Sequence, residues 1–147
     1  MKIIALTNAV HDLIEPVWLE QSEAVHRQLR PHLPGDYVRR MREVFNSGAD
    51  MAVCVREDRV CGITVFRILE KTYSGRELYC DDLITDETLR STGVGHALIG
   101  YMEAVAAKRD CDCLTLDSGT QRQQAHKFYF REGLAVAAFH FSKLLKK

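Results

Sequence analysis

Apolar residues recur along this chain with two periods, and the period changes mark its elements. Residues 2–6 alternate weakly and predict a first strand. Leu13, Ile14, Val17, Trp18, Ala24, Val25 and Leu29 then fall at helical spacing, with Pro16 inside the pattern as a first turn or a kink. Pro31 and Pro34 close that segment. Gly35-Asp36 opens a second helix with Tyr37, Met41, Val44 and Phe45 on one side, stopped by Gly48. Residues 51–55 and 60–69 read as strands around a Glu57-Asp58-Arg59 turn, and 77–85 as a third strand after a turn at 72–76. Adjacent Leu83 and Ile84 predict that this third strand is buried on both faces.

A helix follows, with Val94, Ala97, Leu98, Tyr101 and Val105 as its apolar stripe and Lys108 and Arg109 in its last turn. Residues 113–117 are the next strand. Strand, helix and strand of these lengths form a βαβ unit with parallel strands. Ser118-Gly119 breaks the strand, and Thr120 with Gln123 fits a capping box. The helix it opens runs through Ala125, Phe128 and Tyr129 to Gly133, and residues 134–144 predict a final strand, antiparallel if it returns beside the earlier one. No linker or repeat interrupts the pattern, so residues 1–147 read as one α/β domain.

Between the strand ending at Thr85 and the following helix lies Arg90-Ser91-Thr92-Gly93-Val94-Gly95-His96-Ala97. Two glycines bracket one apolar residue where the helix starts, so consecutive backbone N–H groups can face outward. A helix N-terminus carries unpaired N–H groups and the positive end of the dipole, which suits phosphate. The loop does not match the nucleotide-binding patterns. Leu98 stands where a dinucleotide fingerprint needs a third small residue, and Gly95-His96-Ala97 lacks the Lys-Ser/Thr end of a P-loop.

Charge and composition narrow the partners. Twenty basic and 20 acidic side chains give zero net charge, which argues against nucleic acid. No apolar run approaches the roughly 20 residues that span a membrane, and residues 1–7 lack a signal-peptide pattern, so a cytoplasmic protein is expected. Cys54, Cys61, Cys80, Cys111 and Cys113 are odd in number without a CxxC pair, which predicts buried thiols rather than disulfides or zinc. Cys111 and Cys113 should share one strand face. The six histidines are scattered, none at ligand spacing, so no metal is expected.

Arg90-x-x-Gly93-x-Gly95 resembles the Arg/Gln-x-x-Gly-x-Gly/Ala pattern of the GNAT superfamily of N-acetyltransferases. Asp82-Leu83-Ile84-Thr85 looks like that family's fourth strand and Leu114-Thr115-Leu116-Asp117 like its fifth. Ala125-x-x-x-Tyr129-x-x-x-Gly133-Leu134 is similar to its Ala-x-x-x-Tyr-x-x-x-Gly-Phe signature. The likeness is close over 77–144 and is one of element order before that.

The resemblance implies a central mixed, mostly antiparallel sheet with a splayed parallel pair and helices on both faces. It implies acetyl-CoA as co-substrate and direct transfer of acetyl to the primary amine of a small molecule. A non-catalytic acyl-CoA-binding module and a protein (lysine or N-terminal) acetyltransferase are the competing readings. It assigns the diphosphate to Arg90, Ser91, Thr92, Gly93, Val94, Gly95, His96 and Ala97, and the pantetheine arm to backbone groups of Leu83, Ile84 and Thr85. Arg122 stands where family members often carry Asn, and an arginine there suits a phosphate. Tyr129 matches the general acid, and Asp117, Asp81 and Asp82 are the candidate proton acceptors. Asp81 and Asp82 are neighbours on a strand, so only one should face the amine unless a bulge intervenes. Trp18, His32, Tyr37 and His140 are the candidate walls of the acceptor pocket. A homodimer through the open edge of the last strand is compatible with the sequence.

Overall fold

The structure, a computed structural model, describes residues 1–146. The chain groups into two compact units, divided after Leu116. The first unit holds strands β1 (Lys2–Ala5), β2 (Ala49–Arg56), β3 (Arg59–Lys71), β4 (Gly75–Thr85) and β5 (Cys113–Leu116) in one sheet, in that spatial order. All neighbours are antiparallel except β4 and β5, which the helix α3 (Val94–Lys108) connects in parallel. Helices α1 (Pro16–Leu29) and α2 (Tyr37–Asn46) complete the unit.

Local chemistry explains the boundaries. Pro16 occupies the first turn of α1, where a missing N–H costs nothing. Asp36 caps α2 by accepting from the Arg39 N–H at 3.1 Å. Glu57 and Asp58 take φ of 50° and 57°, making a two-residue hairpin turn in which Arg56 pairs with Arg59.

The sheet buries both faces. Leu19, Val25, Tyr37, Met41 and Phe45 of α1 and α2 pack on Met51, Val53, Ile63, Val65 and Ile84. On the other face Val94 and Leu98 of α3 pack on Cys54, Cys61 and Leu83. Ile84 and Leu83 thus serve opposite cores, as their adjacency predicts. Cys54, Cys61 and Cys80 are buried thiols, whereas Cys111 and Cys113 are half-buried. Cys111 precedes β5, so the two do not share a strand face.

In the second unit α4 spans Gln123–Arg131. The expected capping box does not form: the helix starts three residues after Thr120, with Arg122 at its N-cap and no side-chain cap. A turn closed by Arg122 N–H donating to Gly119 O at 3.0 Å takes up Thr120 instead. Gly133, at φ 89°, ends the helix, and the Leu134 N–H donates to Tyr129 O at 3.0 Å. The final strand expected at 134–144 is also absent. Residues 134–146 form no ladder, and Val136, Phe139, Phe141, Leu144 and Leu145 are exposed. A strand needs a partner as well as an apolar pattern, and this unit holds no other strand among the described residues. Among the described residues no helix is long and apolar enough to cross a membrane.

Gly62 on β3 lets α3 lie close to the sheet. A Cβ there would stand 2.5 Å from Val94 Cγ1 and 3.1 Å from both Leu98 Cδ1 and the Ile84 carbonyl. Gly62→Val should therefore destabilise the fold by about 1–3 kcal/mol through overpacking, read as a lowered thermal midpoint.

Candidate active site

The site grows from a single irregularity in β4. The ladder with β3 pairs Asp82 with Val65 but Cys80 with Phe66, so Asp81 is an extra residue without an opposite number. Cys80 contacts Thr64, which itself contacts Met102 of α3, and Leu83 packs on the α3 cluster. These two residues are three apart yet face the same way, which a regular strand forbids. The bulge has an equal consequence on the other face. It is the exception that the alternation allows for: Asp81 and Asp82 both point toward α1 and α2.

Each carboxylate has its own guanidinium. Arg67 Nε lies 3.0 and 3.1 Å from the two oxygens of Asp81, and Nη2 adds a further contact. Those hydrogen bonds hold Arg67 firmly charged. Asp82 Oδ1 meets Arg30 at 2.8 Å (Nε) and 2.6 Å (Nη2), and its Oδ2 meets His26 Nε2 at 2.7 Å. His26 is 1% exposed, and its Nδ1 lies 2.9 Å from the Tyr37 hydroxyl. With Asp82 ionised, His26 donates through Nε2 and accepts the Tyr37 O–H at Nδ1, so every polar atom in the row is satisfied. Burial pushes the Tyr37 phenol above its ordinary value, which keeps it a donor. Burial also pushes the Asp82 carboxyl up, but His26 and Arg30 together outweigh it and hold the group below its ordinary value. Cys80, next to the bulge, is pushed up to about 12 by burial and is no thiolate at neutral pH.

These groups line a cavity of about 460 Å³ on the α1–α2 face, with Arg30, Arg40, Arg67, Tyr79, Asp81 and Asp82 as its polar walls. Trp18, His32 and Tyr37 do not line it. Tyr37 is a core residue that reaches the site through His26, Trp18 packs against the same core, and His32 is exposed. His26, Arg30, Arg40 and Arg67 belong to no sequence motif. The available signal was two adjacent aspartates in an apolar strand, which demand countercharges, and His26 with Arg30 one turn apart on a helix face.

Beyond the bulge β4 parts from β5. The parallel ladder covers only Glu77–Cys80 against Cys113–Leu116. Leu83, Ile84 and Thr85 are paired by β3 on one side and by no strand of the described residues on the other. The backbone groups that this stretch turns away from β3 therefore have no ladder partner there among the described residues. The chain then makes a short turn at Glu87–Leu89, capped by Asp86, which accepts from the Thr88 N–H at 3.0 Å. Arg90, Ser91 and Thr92 are exposed, with Ser91 at φ 63°. Arg56 of β2, another residue outside any motif, donates to the Thr92 carbonyl at 3.2 Å and ties the loop to the sheet. Gly93, at φ 90°, is the N-cap of α3 and offers no side-chain acceptor to the first turn. Buried Val94 anchors that turn, Gly95 and Ala97 are half-buried, and His96 is exposed.

Within the second unit Tyr129 is half-buried on α4, edge-on to Phe128 at 5.6 Å between ring centroids. Asp117 lies 3.0 Å from His140 Nδ1, and Arg122 starts the helix. Among the described residues no group of three or more His, Cys, Asp or Glu is placed to hold a metal ion.

Asp82 binds its proton more weakly in the fold than at its ordinary value of 3.8. Its contribution to stability is therefore present above that value and is lost as pH falls through the folded one. Asp82→Asn should cost about 1–3 kcal/mol at pH 7, and its gap in thermal midpoint from the wild type should close below about pH 4.

The sequence model of the acetyltransferase (GNAT) family matches residues 9–134. An uncharacterised N-acetyltransferase of Bacillus subtilis, YhdJ, is 35% identical over 72 residues, 48% of this chain and 51% of that protein. The aminoalkylphosphonate N-acetyltransferase of Salmonella typhimurium is 30% identical over 64 residues, 44% of this chain and 42% of that protein. These matches span about half the length of either relative. Among solved structures, the aminoglycoside N-acetyltransferase AAC(6')-Iy in complex with CoA superposes with a TM-score of 0.82 over 99% of this chain and 95% of that one, at 14% identity. With the family pattern running through the loop before α3, the split of β4 from β5 and the tyrosine helix, this chain belongs to the acetyltransferase (GNAT) family.

Proposed function

We propose that residues 1–147 form one acetyl-CoA-dependent N-acetyltransferase domain that moves an acetyl group to the primary amine of a small molecule, by direct attack with both substrates bound. The observation that carries this reading is the open edge of β4 at Leu83–Thr85, flanked by an uncapped helix start on one end and by two carboxylates on the other. The aminoalkylphosphonate and aminoglycoside N-acetyltransferases named above share only an acceptor amine, which supports that part of the reading.

The residues fit the co-substrate. Gly93 leaves the first-turn N–H groups without a side-chain competitor, so residues 91–97 suit a diphosphate, with Arg90 adding charge. Arg122 is assigned a further phosphate contact. The N–H and C=O groups that the Leu83–Thr85 stretch, with Ile84 at its centre, turns away from β3 suit the amides of a pantetheine arm. When bound, acetyl-CoA supplies the acetyl group as a reactive thioester.

The chain's own side chains handle the protons. Asp81 and Asp82 attract the incoming ammonium and orient it at the bulge, and the proton it sheds passes to a carboxylate or to water in the cavity. Asp117 is the remaining candidate acceptor. Tyr129 Oη donates the proton that the leaving sulfur requires. A backbone N–H beside the bulge stabilises charge on the thioester oxygen. No metal enters the scheme. The five free cysteines suit the reducing cytoplasm, which is the compartment proposed. A second copy of the chain is the proposed partner for the exposed apolar side chains of residues 136–145.

Tyr129→Phe should lower kcat about 10²- to 10⁴-fold while acetyl-CoA still binds, measured by CoA release over an amine panel and by calorimetry. Tight binding of acetyl-CoA without turnover of any amine would instead make the chain a non-catalytic module, and turnover only of peptide lysines or N-termini would make it a protein acetyltransferase. Light scattering should return a dimer, and replacing Phe139 and Phe141 with Ser should return a monomer.

A further inference from the structure

The cavity beside the bulge carries more than the means to receive an amine. Arg30, Arg40 and Arg67 line it together with Asp81 and Asp82, so guanidiniums outnumber carboxylates. Both carboxylates are already matched, Asp81 by Arg67 and Asp82 by Arg30. Arg40 is the surplus charge. Its partner is Glu43, one turn along α2, and both side chains are about half exposed, at 49% and 52%. Such a surface pair opens at little cost. Arg30 Nε and Nη2 serve Asp82 and the Asp81 carbonyl, which leaves Nη1 for another acceptor. A second hollow of about 370 Å³ shares Arg67 as a wall and is lined by Arg76 and Arg109, with no carboxylate in its lining. Glu70 and Asp50 pair with these two arginines from outside that lining.

A plain amine or a polyamine entering as a cation gains two half-spent carboxylates and meets three guanidiniums. An amine that brings its own anion meets a partner for each end. Building on the N-acetyltransferase reading, we infer that the acceptor is a zwitterion. Its ammonium sits at Asp81 and Asp82, and its acid group, a carboxylate or a phosphonate, is received by Arg40 with Arg30. Planar guanidinium forks suit either oxyanion, and the phosphonate gains more from two arginines because it carries more charge.

The test uses three acceptors that share one aminoethyl group: β-alanine, 2-aminoethylphosphonate and ethylamine. With saturating acetyl-CoA, the wild type should favour the two acids over ethylamine by roughly 10- to 100-fold in kcat/KM. Arg40→Gln should remove that preference through the KM of the acids rather than through kcat, and Arg40→Lys should restore part of it. The phosphonate-to-carboxylate ratio in the wild type identifies which acid the arginines prefer. Equal kcat/KM for acids and ethylamine, or an equal loss on all three in Arg40→Gln, overturns the inference while the transferase reading stands. Calorimetry without acetyl-CoA separates the opposite failure. Saturable binding of the acids but not ethylamine, weakened by Arg40→Gln, upholds the zwitterion site even if no acetyl transfer occurs. Binding of none of the three, with no transfer, overturns it.

Discussion

The extra residue at position 81 is the constraint from which the rest of the site follows. In a regular strand one of Asp81 and Asp82 would face α3, where an ionised carboxylate would cost several kcal/mol. With the extra residue, two consecutive carboxylates share one face and one cavity. The same irregularity ends the pairing with β5 at Cys80, because a strand that bends out of its ladder cannot keep both neighbours in register. One inserted residue thus makes a charged pocket on one side of β4 and an open backbone edge just beyond it.

Such a pocket survives only if its charges are paired, and the pairing doubles as architecture. His26 on α1 and Arg30 at its C-cap both grip Asp82, Tyr37 on α2 holds the far side of His26, and Arg67 on β3 forks onto Asp81. A partly buried carboxylate with two cationic or donor partners stays ionised near neutrality and is a weak base. Each guanidinium that pairs a cavity carboxylate cancels its charge, which leaves Arg40, whose partner Glu43 lies outside the lining, as the third positive wall.

At the other end of the open edge the charge logic is simpler. The start of α3 has a glycine N-cap in a left-handed conformation, so no N-cap side chain competes for its first N–H groups. Its position depends on packing rather than on the loop. Val94 and Leu98 press onto β3 where Gly62 has no side chain, and Arg56 holds the loop by the Thr92 carbonyl. The absence of a capping side chain at the start of α3 and the close packing of that helix on the sheet are two consequences of where Gly93 and Gly62 fall.

Much of this was legible from the chain alone, because period, turn residues and caps act over a few residues. The strands, the Pro16 and Asp36 helix starts, the parallel βαβ unit and the Gly93–Gly95 loop all rest on interactions within one turn or one hairpin. The missed Thr120 cap and the absent strand at 134–144 mark the limit of that reasoning. A local pattern names a preference, and a competing turn or the lack of a ladder partner overrides it. The site's working charges lay beyond reach for a different reason. His26 and Asp82 are 56 positions apart, and Arg30 meets Asp82 across 52. No periodicity encodes such a meeting, and a single-residue bulge is invisible to an apolar pattern on a strand buried on both faces. Only the folded sheet, with α1 laid across it, decided that both aspartates would face the same space and which cations would answer them.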